Sequence, residues 1–292
     1  MYVITGATGN IGKVIAESLL AQKKKVRVIG RDQNRLKSLV DRGAEARAGS
    51  LGDSAFLKSA FEGATAVFTL IPPDYQASNV RKLQNEIGEA IGAAIQAAGV
   101  SHVVNLSSVG AEHESGTGPI AGLHQQEQRL NRLNLNVLHL RPTYFMENHM
   151  MNIPMIKHMG INGSAIRPDL PIPMIATRDI GAAAAGRLLA LDFKGHSEAL
   201  LLGPRDYTMA EATRILGAAI GKPELPYVPF SYEDAEKGMV GAGLSPAVAS
   251  SFVEMSRAMN EGMVFRYQRK PENTTPTTLE EFSKMFAAAY GR

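Results

Sequence analysis

Three glycines near the start of the chain, Gly6, Gly9 and Gly12, constrain it more than any other feature. They stand at three-residue spacing in MYVITGATGNIG, after a short apolar, β-branched run from Tyr2 to Thr5. A helical pattern continues from Lys13 to Leu20, with Ile11, Val14, Ile15, Ser18 and Leu19 on one face. Strand, glycine turn and helix in that order form the entry to a dinucleotide-binding βαβ unit. Each glycine has a physical task in this reading. Gly6 makes the tight turn, Gly9 lets the backbone approach a pyrophosphate, and Gly12 allows the helix to pack close to the strand. The N–H groups of the first helical turn face the phosphates, and Thr8, Asn10 and Ile11 complete the expected phosphate-binding set.

A second apolar run, Val26 to Gly30, ends in Arg31-Asp32. This lies about twenty residues past the turn, where a ribose-reading residue belongs. An acidic side chain there would accept hydrogen bonds from the ribose diol and repel a 2′-phosphate. Arg31 instead offers a planar fork that can grip that phosphate. The reading is NADP(H) in preference to NAD(H), and Asp32, directly following, keeps NAD(H) as the second choice.

Helical and apolar segments alternate along the rest of the chain, which predicts a parallel sheet with helices on both faces. Helices are expected over 34–42, 54–61, 76–98 and 122–133, and strands over 45–48, 66–71, 102–106 and 136–140. The character changes near residue 148. A methionine-rich stretch covers 149–159, and an irregular, proline-containing hairpin is expected over 163–175. An alanine-rich helix over 177–191, a strand over 199–202 and a helix over 209–221 follow. Two further helices fall within 232–262, and a last one within 273–290, where Thr278 and Glu281 are spaced as a capping box. The expected fold class is α/β, a Rossmann-type doubly wound parallel sheet with a smaller C-terminal substrate lobe. Residues 1–148 form the NAD(P)-binding domain, and 149–292 the substrate-binding lobe, interleaved with the last strands of the sheet.

Composition removes several function classes. The 292 residues include no cysteine, which excludes disulfides, thiolate metal sites and a cysteine nucleophile. A net charge of +3 without a long basic run gives no basis for nucleic-acid binding. No apolar stretch approaches the roughly 20 residues that span a bilayer, so no membrane partner is expected. The first strand begins at residue 2 and leaves no room for a signal peptide, so a cytoplasmic protein is expected. No metal site is expected either. His113 and Glu114 fall in a glycine-rich loop, His139 in a strand, and no histidine pair has ligand-like helical spacing.

The turn GATGNIG resembles the glycine motif of the atypical and extended short-chain dehydrogenases. VFTLIPP at 67–73, LRPTYFMEN at 140–148 and NTTPTTLEEF at 273–282 resemble the fourth strand, the sixth-strand signature and the C-terminal ending of its NmrA-like branch. The likeness covers nearly the whole chain. That branch includes NADPH-dependent quinone, azo-dye and triphenylmethane reductases, and also regulators that bind the cofactor without known catalysis. By this resemblance Ser50 and Leu51 flank the adenine, and Leu70, Ile71 and Pro72 line the adenosine ribose. Pro142, Thr143, Tyr144 and Phe145 lie against the nicotinamide, with Ser107 nearby.

Short-chain dehydrogenases commonly use Ser, Tyr and Lys, the last two four apart on one helix face. Here His124 aligns with the tyrosine, Gln128 with the lysine, and Ser107 or Ser108 with the serine. Glutamine can hydrogen-bond a ribose hydroxyl but carries no charge, whereas histidine can donate a proton near neutral pH. Quinones, azo bonds and cationic dyes accept hydride with protons from solvent, so proximity and orientation can suffice for them. Met146, Met150, Met151, Met155 and Met159 cluster in sequence beside Tyr144 and Phe145. They fit either an adaptable lining for a flat guest or ordinary helix core. Met146, Asn148 and His149 are the expected substrate residues. The implied partner is a small aromatic or quinone-like substrate. The alternative is a non-catalytic NADP(H)-sensing regulator acting through a protein partner. Monomer and homodimer both remain open.

Overall fold

The computed structural model describes residues 1–291. The first half alternates β1 (Tyr2–Ile4), α1 (Asn10–Ala21), β2 (Val26–Gly30), α2 (Gln33–Val40), β3 (Glu45–Ala48) and α3 (Ser54–Phe61). It continues with β4 (Ala66–Thr69), α4 (Val80–Ala97), β5 (His102–Leu106), α5 (Ile120–Asn131) and β6 (Asn136–Pro142). The second half begins with β7 (Tyr144–Phe145), a 3-10 segment (Met146–Asn152), α6 (Ile153–Met159), β8 (Asn162–Ser164), β9 (Ile172–Ile175) and α7 (Thr177–Ala190). Then come β10 (His196–Leu201), β11 (Asp206–Tyr207), α8 (Met209–Ala219), β12 (Tyr227–Pro229), α9 (Tyr232–Gly241), α10 (Pro246–Asn260) and α11 (Leu279–Tyr290).

Seven strands pair in the order β10-β6-β5-β4-β1-β2-β3, all parallel. Helices cover both faces, so β2 and β4 are buried at every position, and apart from Arg27 and Thr69 their residues are apolar or glycine. Side chains alternate between the faces with the strand period of two. Ile4, Phe68, Val104 and Leu138 enter one core with α1 and α7, while Val3, Val67, Val103 and Val137 enter the other with α3 and α4. The chain builds outward from β1 to β3 and then crosses back to place β4 on the other side of β1. That reversal is the switch point at which open α/β sheets bind ligands, outside the carboxyl ends of the strands.

Local chemistry sets the helix starts. Asp32, Asp53 and Asn79 each accept a backbone N–H at the first turn of α2, α3 and α4. The Asn79 cap corrects the expected start of α4 from 76 to 80. The preceding stretch is held as a turn by Asp74, whose carboxylate accepts from the Gln76 N–H at 2.9 Å. The last helix likewise starts at Leu279, behind the Thr278–Glu281 capping box. The chain just before it lies extended, pairing with Leu202 through the Asn273 carbonyl and the Thr275 N–H.

The second half does not stand apart from the sheet. It returns through β10 to extend the β6 edge, and α7 packs on α1. A Cβ on Gly181 would sit 2.7 Å from the Val14 side chain, so glycine is what permits that close helix crossing. The remaining elements form a core of their own, around Ile156, Ile172, Met174, Tyr207, Leu216, Phe282 and Phe286. The hairpin expected over 163–175 is absent. β8 pairs in parallel with β12, while β9 pairs with β11 and β7 in a separate small sheet. The intervening residues are taken by distant partners. The Ile166 carbonyl accepts from the Tyr227 hydroxyl, and the Arg167 N–H donates to Asn260. Among the described residues, no helix is long and apolar enough to cross a membrane.

Candidate functional site

The glycine turn lies at the switch point. Gly6 has φ +60°, a conformation that L side chains rarely adopt. A Cβ there would also meet Leu70 Cδ2 at 2.8 Å. Gly12 does a different job from the one expected. Its Cβ would lie 2.4 Å from the Gly6 carbonyl oxygen, so it clears the turn itself and not the strand. Gly9 and Asn10 are exposed, Thr8 is half-buried, and Ile11 is buried in the core. The helices α2, α3, α4, α8, α9, α10 and α11 are capped by their N-cap side chains, whereas α1 follows Gly9 and has no side-chain cap. Its first-turn N–H groups therefore present a partial positive charge without a side-chain acceptor. Those features suit a pyrophosphate.

At the mouth of β2, Arg31 is exposed and forms no hydrogen bond or ion pair among the described residues. Asp32 is occupied, because its carboxylate accepts the Asn34 N–H at 2.8 Å as the cap of α2. Arg35, missed in the sequence, reaches back from α2 so that Nη2 is 3.5 Å from the Thr8 carbonyl oxygen. Two guanidinium groups thus stand beside the glycine turn. The signal was available, since Arg35 lies four residues beyond Arg31 in the first turn of the following helix.

The other cofactor candidates lie in the loops beyond β3, β4 and β6. Ser50 is exposed, and its hydroxyl accepts the Gly52 N–H at 3.2 Å. Leu51, Leu70, Ile71 and Pro72 are half-buried. Pro142 ends β6. Thr143 is buried, with its hydroxyl 3.4 Å from the Leu201 carbonyl it donates to, so that side chain is turned into the fold. Tyr144 and Phe145 form β7 and are half-buried.

The catalytic candidates are not assembled as expected. Ser107 is buried, and its hydroxyl donates to Glu127. Glu127 is held bidentately by Arg141, at 2.9 Å to Nε and 2.6 Å to Nη2. Arg141 also pairs with Glu198 and approaches Glu112 at 3.8 Å. Its neighbouring carboxylates keep the Arg141 guanidinium firmly charged against the pull of burial. Gln128 is exposed, and His124 Nδ1 lies 2.8 Å from the Ala111 carbonyl oxygen. The residue of α5 that reaches the end of β5 is Glu127, one place before Gln128. Ser108 donates to the Val109 carbonyl at 2.9 Å.

The methionines do not form one lining. Met146 is wholly buried in the core of the second half, Met151 is 50% exposed and Met159 is 64% exposed. Met150 packs at the partly buried edge of that core, as do Tyr144, Met255, Met263 and Phe265. Asn148 is half-buried. His149 is buried, its ring centroid 5.7 Å from that of Tyr144. Burial pushes the His149 imidazole down to about 4.

A second buried polar chain crosses the sheet below this edge. Thr69 donates to Asn105 Oδ1 at 3.1 Å, Asn105 Nδ2 donates to His139 Nδ1 at 3.1 Å, and His139 Nε2 donates to Asn131 Oδ1 at 2.9 Å. The amide assignments on either side fix the Nε2–H tautomer. Burial lowers His139 to about 4, so it is neutral at physiological pH. Among the described residues, no group of three or more His, Asp or Glu side chains is placed to hold a metal.

A seven-stranded parallel sheet, a glycine turn at its switch point and an unpaired arginine at the neighbouring strand end define a nucleotide-binding protein of Rossmann type. More particularly, the chain belongs to the NmrA-like family, whose model matches residues 2–283. It is 28% identical to an NAD(P)H azoreductase of Xenophilus azovorans, covering 100% of this chain and 99% of that protein. It is 29% identical to the (4-alkanoyl-5-oxo-2,5-dihydrofuran-3-yl)methyl phosphate reductase of Streptomyces griseus, covering 90% of this chain and 88% of that one. The crystal structure of the NADPH-dependent quinone oxidoreductase of Escherichia coli, complexed with NADPH, has the same fold. It superposes with a TM-score of 0.82 at 24% identity, covering 98% of this chain and 99% of that chain.

Proposed function

We propose that this chain is an NADPH-dependent reductase of small, flat, electron-poor acceptors of the quinone, azo or dye type. The observation that carries the reading is the Ser107–Glu127–Arg141 cluster. At the strand end from which short-chain dehydrogenases draw their proton chemistry, the Ser107 hydroxyl is committed to Glu127, which is itself locked to Arg141. An acceptor reduced here must be one that takes hydride readily and finds its proton elsewhere. The relatives support this, because each of their names carries an unsaturated, electron-poor acceptor.

The pyrophosphate of the cofactor would lie over Gly6, Gly9 and Gly12, against the backbone of Thr8, Asn10 and Ile11. Ser50 and Leu51 would flank the adenine, and Leu70, Ile71 and Pro72 the adjoining ribose. Arg31, seconded by Arg35, would take the 2′-phosphate, which makes NADPH the preferred form. Pro142, Tyr144 and Phe145 would line the nicotinamide end. Bound there, NADPH supplies the hydride. The chain's own contribution is to hold the two reactants in register and to exclude water. Asn148 and His149 stand on the substrate side, where β7 leads into the second half. A freely diffusing NADPH supply makes the cytoplasm the expected setting.

The test is NADPH consumption by the purified protein with a panel of benzoquinones, naphthoquinones, azo dyes and triphenylmethane dyes. Saturable oxidation with one acceptor class, lost in Phe145→Trp, is the expected result. Tight NADPH binding without turnover across the panel would move the reading to an NADP(H)-sensing regulator.

A further inference from the structure

We infer that Tyr144 and His149 together form a hydrogen-bonding recess for a carbonyl oxygen of the acceptor, so that quinones and conjugated ketones are favoured over cationic dyes that offer no such oxygen. The inference rests on the reductase reading above and adds to it the substrate class.

Two polar groups on this edge are left without protein partners. Four of the other five half-buried or buried tyrosines of the second half are partnered through the hydroxyl, Tyr290 being the exception. Tyr207 donates to Glu280, Tyr227 to the Ile166 carbonyl, and Tyr267 to Asp206. The Tyr144 hydroxyl bonds to nothing among the described residues. His149 shows the same contrast with His139. Both ring nitrogens of His139 are partnered, whereas His149 is 2% exposed and its Nε2 is buried with no partner. The two rings lie against each other, tilted by 59°. An unsatisfied buried polar atom costs on the order of 1–3 kcal/mol, so a guest that supplies an acceptor here gains what the fold has forgone.

The surroundings select the guest. Tyr144 packs against the core of the second half, whose partly buried apolar rim also includes Met150, Ile153, Met255 and Met263. Burial raises the Tyr144 phenol and lowers His149, and no charged group acts on His149, so both are neutral hydrogen-bond donors at physiological pH. Neutral donors against an apolar rim suit a carbonyl oxygen and give nothing to a delocalised cation. In the reaction, hydride from NADPH forms a C–H bond at a ring carbon, and the displaced π pair moves onto the carbonyl oxygen. NADP⁺ leaves, and the oxygen takes its proton from water. Tyr144 and His149 keep their protons and strengthen their hydrogen bonds as negative charge gathers on that oxygen.

The test compares Tyr144→Phe and His149→Phe with the parent protein, each shown by calorimetry to bind NADPH as the parent does. With naphthoquinone, kcat/KM should fall about tenfold to a hundredfold in Tyr144→Phe, as for the loss of one donor to a developing oxyanion. Reduction of malachite green should fall by a clearly smaller factor, at least about fivefold less than the loss with naphthoquinone, because no hydrogen bond to the acceptor is lost. Equal losses for both acceptors, or none for either, would overturn the inference. If the parent protein reduces nothing, the reductase reading fails and binding decides the recess separately. Acetophenone titrated into the NADP⁺-loaded chain should then bind, and bind about tenfold more weakly to each variant. Equal affinity in all three proteins, or no binding to the parent, would count against it.

Discussion

Arg31 and Arg141 both stand near carboxyl ends of strands in one sheet, and they have opposite fates. Arg141, at the end of β6, is drawn into the protein by Glu127, Glu198 and Glu112. Arg31, just past β2, is exposed and makes no hydrogen bond or ion pair among the described residues. The difference teaches how to read an arginine beside a binding edge. One whose donors are filled by carboxylates ties strands and helices together, while one left open is available to an anion from outside. The Arg141 cluster at the end of β6 is thus architecture, while Arg31 at the β2 mouth is the group proposed to set cofactor choice.

The sharpest way to break this comparison is Arg141→Met. It strands Glu127, whose side chain is only 3% exposed, as an unpaired carboxylate. A loss of about 3–5 kcal/mol in urea unfolding is expected. Adding Glu127→Gln should recover most of that loss, and an unmoved midpoint in the single variant would remove the cluster from the architecture. A second test uses pH. His139, two residues before Arg141, titrates near 4 in the fold against an ordinary 6.5. Between those values the unfolded chain holds a proton that the folded chain does not, so stability is full above about 6.5 and falls as pH drops toward 4. That amounts to about 3 kcal/mol for such a shift. His149→Phe should remove only the parallel share of His149, which urea unfolding at several pH values can separate.

At the β2 mouth the expected effects are on binding and not on stability. Arg31→Ala should weaken NADPH by about 1.5–3 kcal/mol and leave NADH nearly unchanged. Its urea midpoint should match the parent. Equal loss for both cofactors would place this arginine away from the 2′-phosphate. Arg35→Ala should cost less, about 0.5–1.5 kcal/mol in NADPH affinity, because its guanidinium is shared with the Thr8 carbonyl. A larger effect from Arg35 than from Arg31 would reverse their roles.

Much of the architecture was legible in the chain, because the deciding signals are local. Gly6 needs its positive φ whatever surrounds it, and Asp53, Thr278 and Glu281 cap helices from within a few residues. The alternation of Val3 with Ile4 and Val67 with Phe68 distributes the two cores by strand period alone. The site was legible only in part. The open state of Arg31 agrees with its position after β2, and Asp32, directly before a helical stretch, carried a local N-cap signal that the reading of it as a ribose contact passed over. Gln128 was chosen by spacing along one helix, whereas the bond from Ser107 to Glu127, the residue before it, had no signal in that spacing.

The sequence by itself determined the glycine turn, the order of strands and helices, the two-sided burial of the sheet and the family. All of these follow from backbone conformation and from hydrophobic period over a few residues. Only the tertiary structure decided which arginine is filled and which is free. It also decided that residues 162–175 join two different small sheets, that Met146 is core while Met159 faces solvent, and that Tyr144 and His149 are left unpartnered side by side. The reason is physical. A side chain's identity fixes what it can bond, but its partners come from segments tens of residues away, and only the completed fold sets their distances.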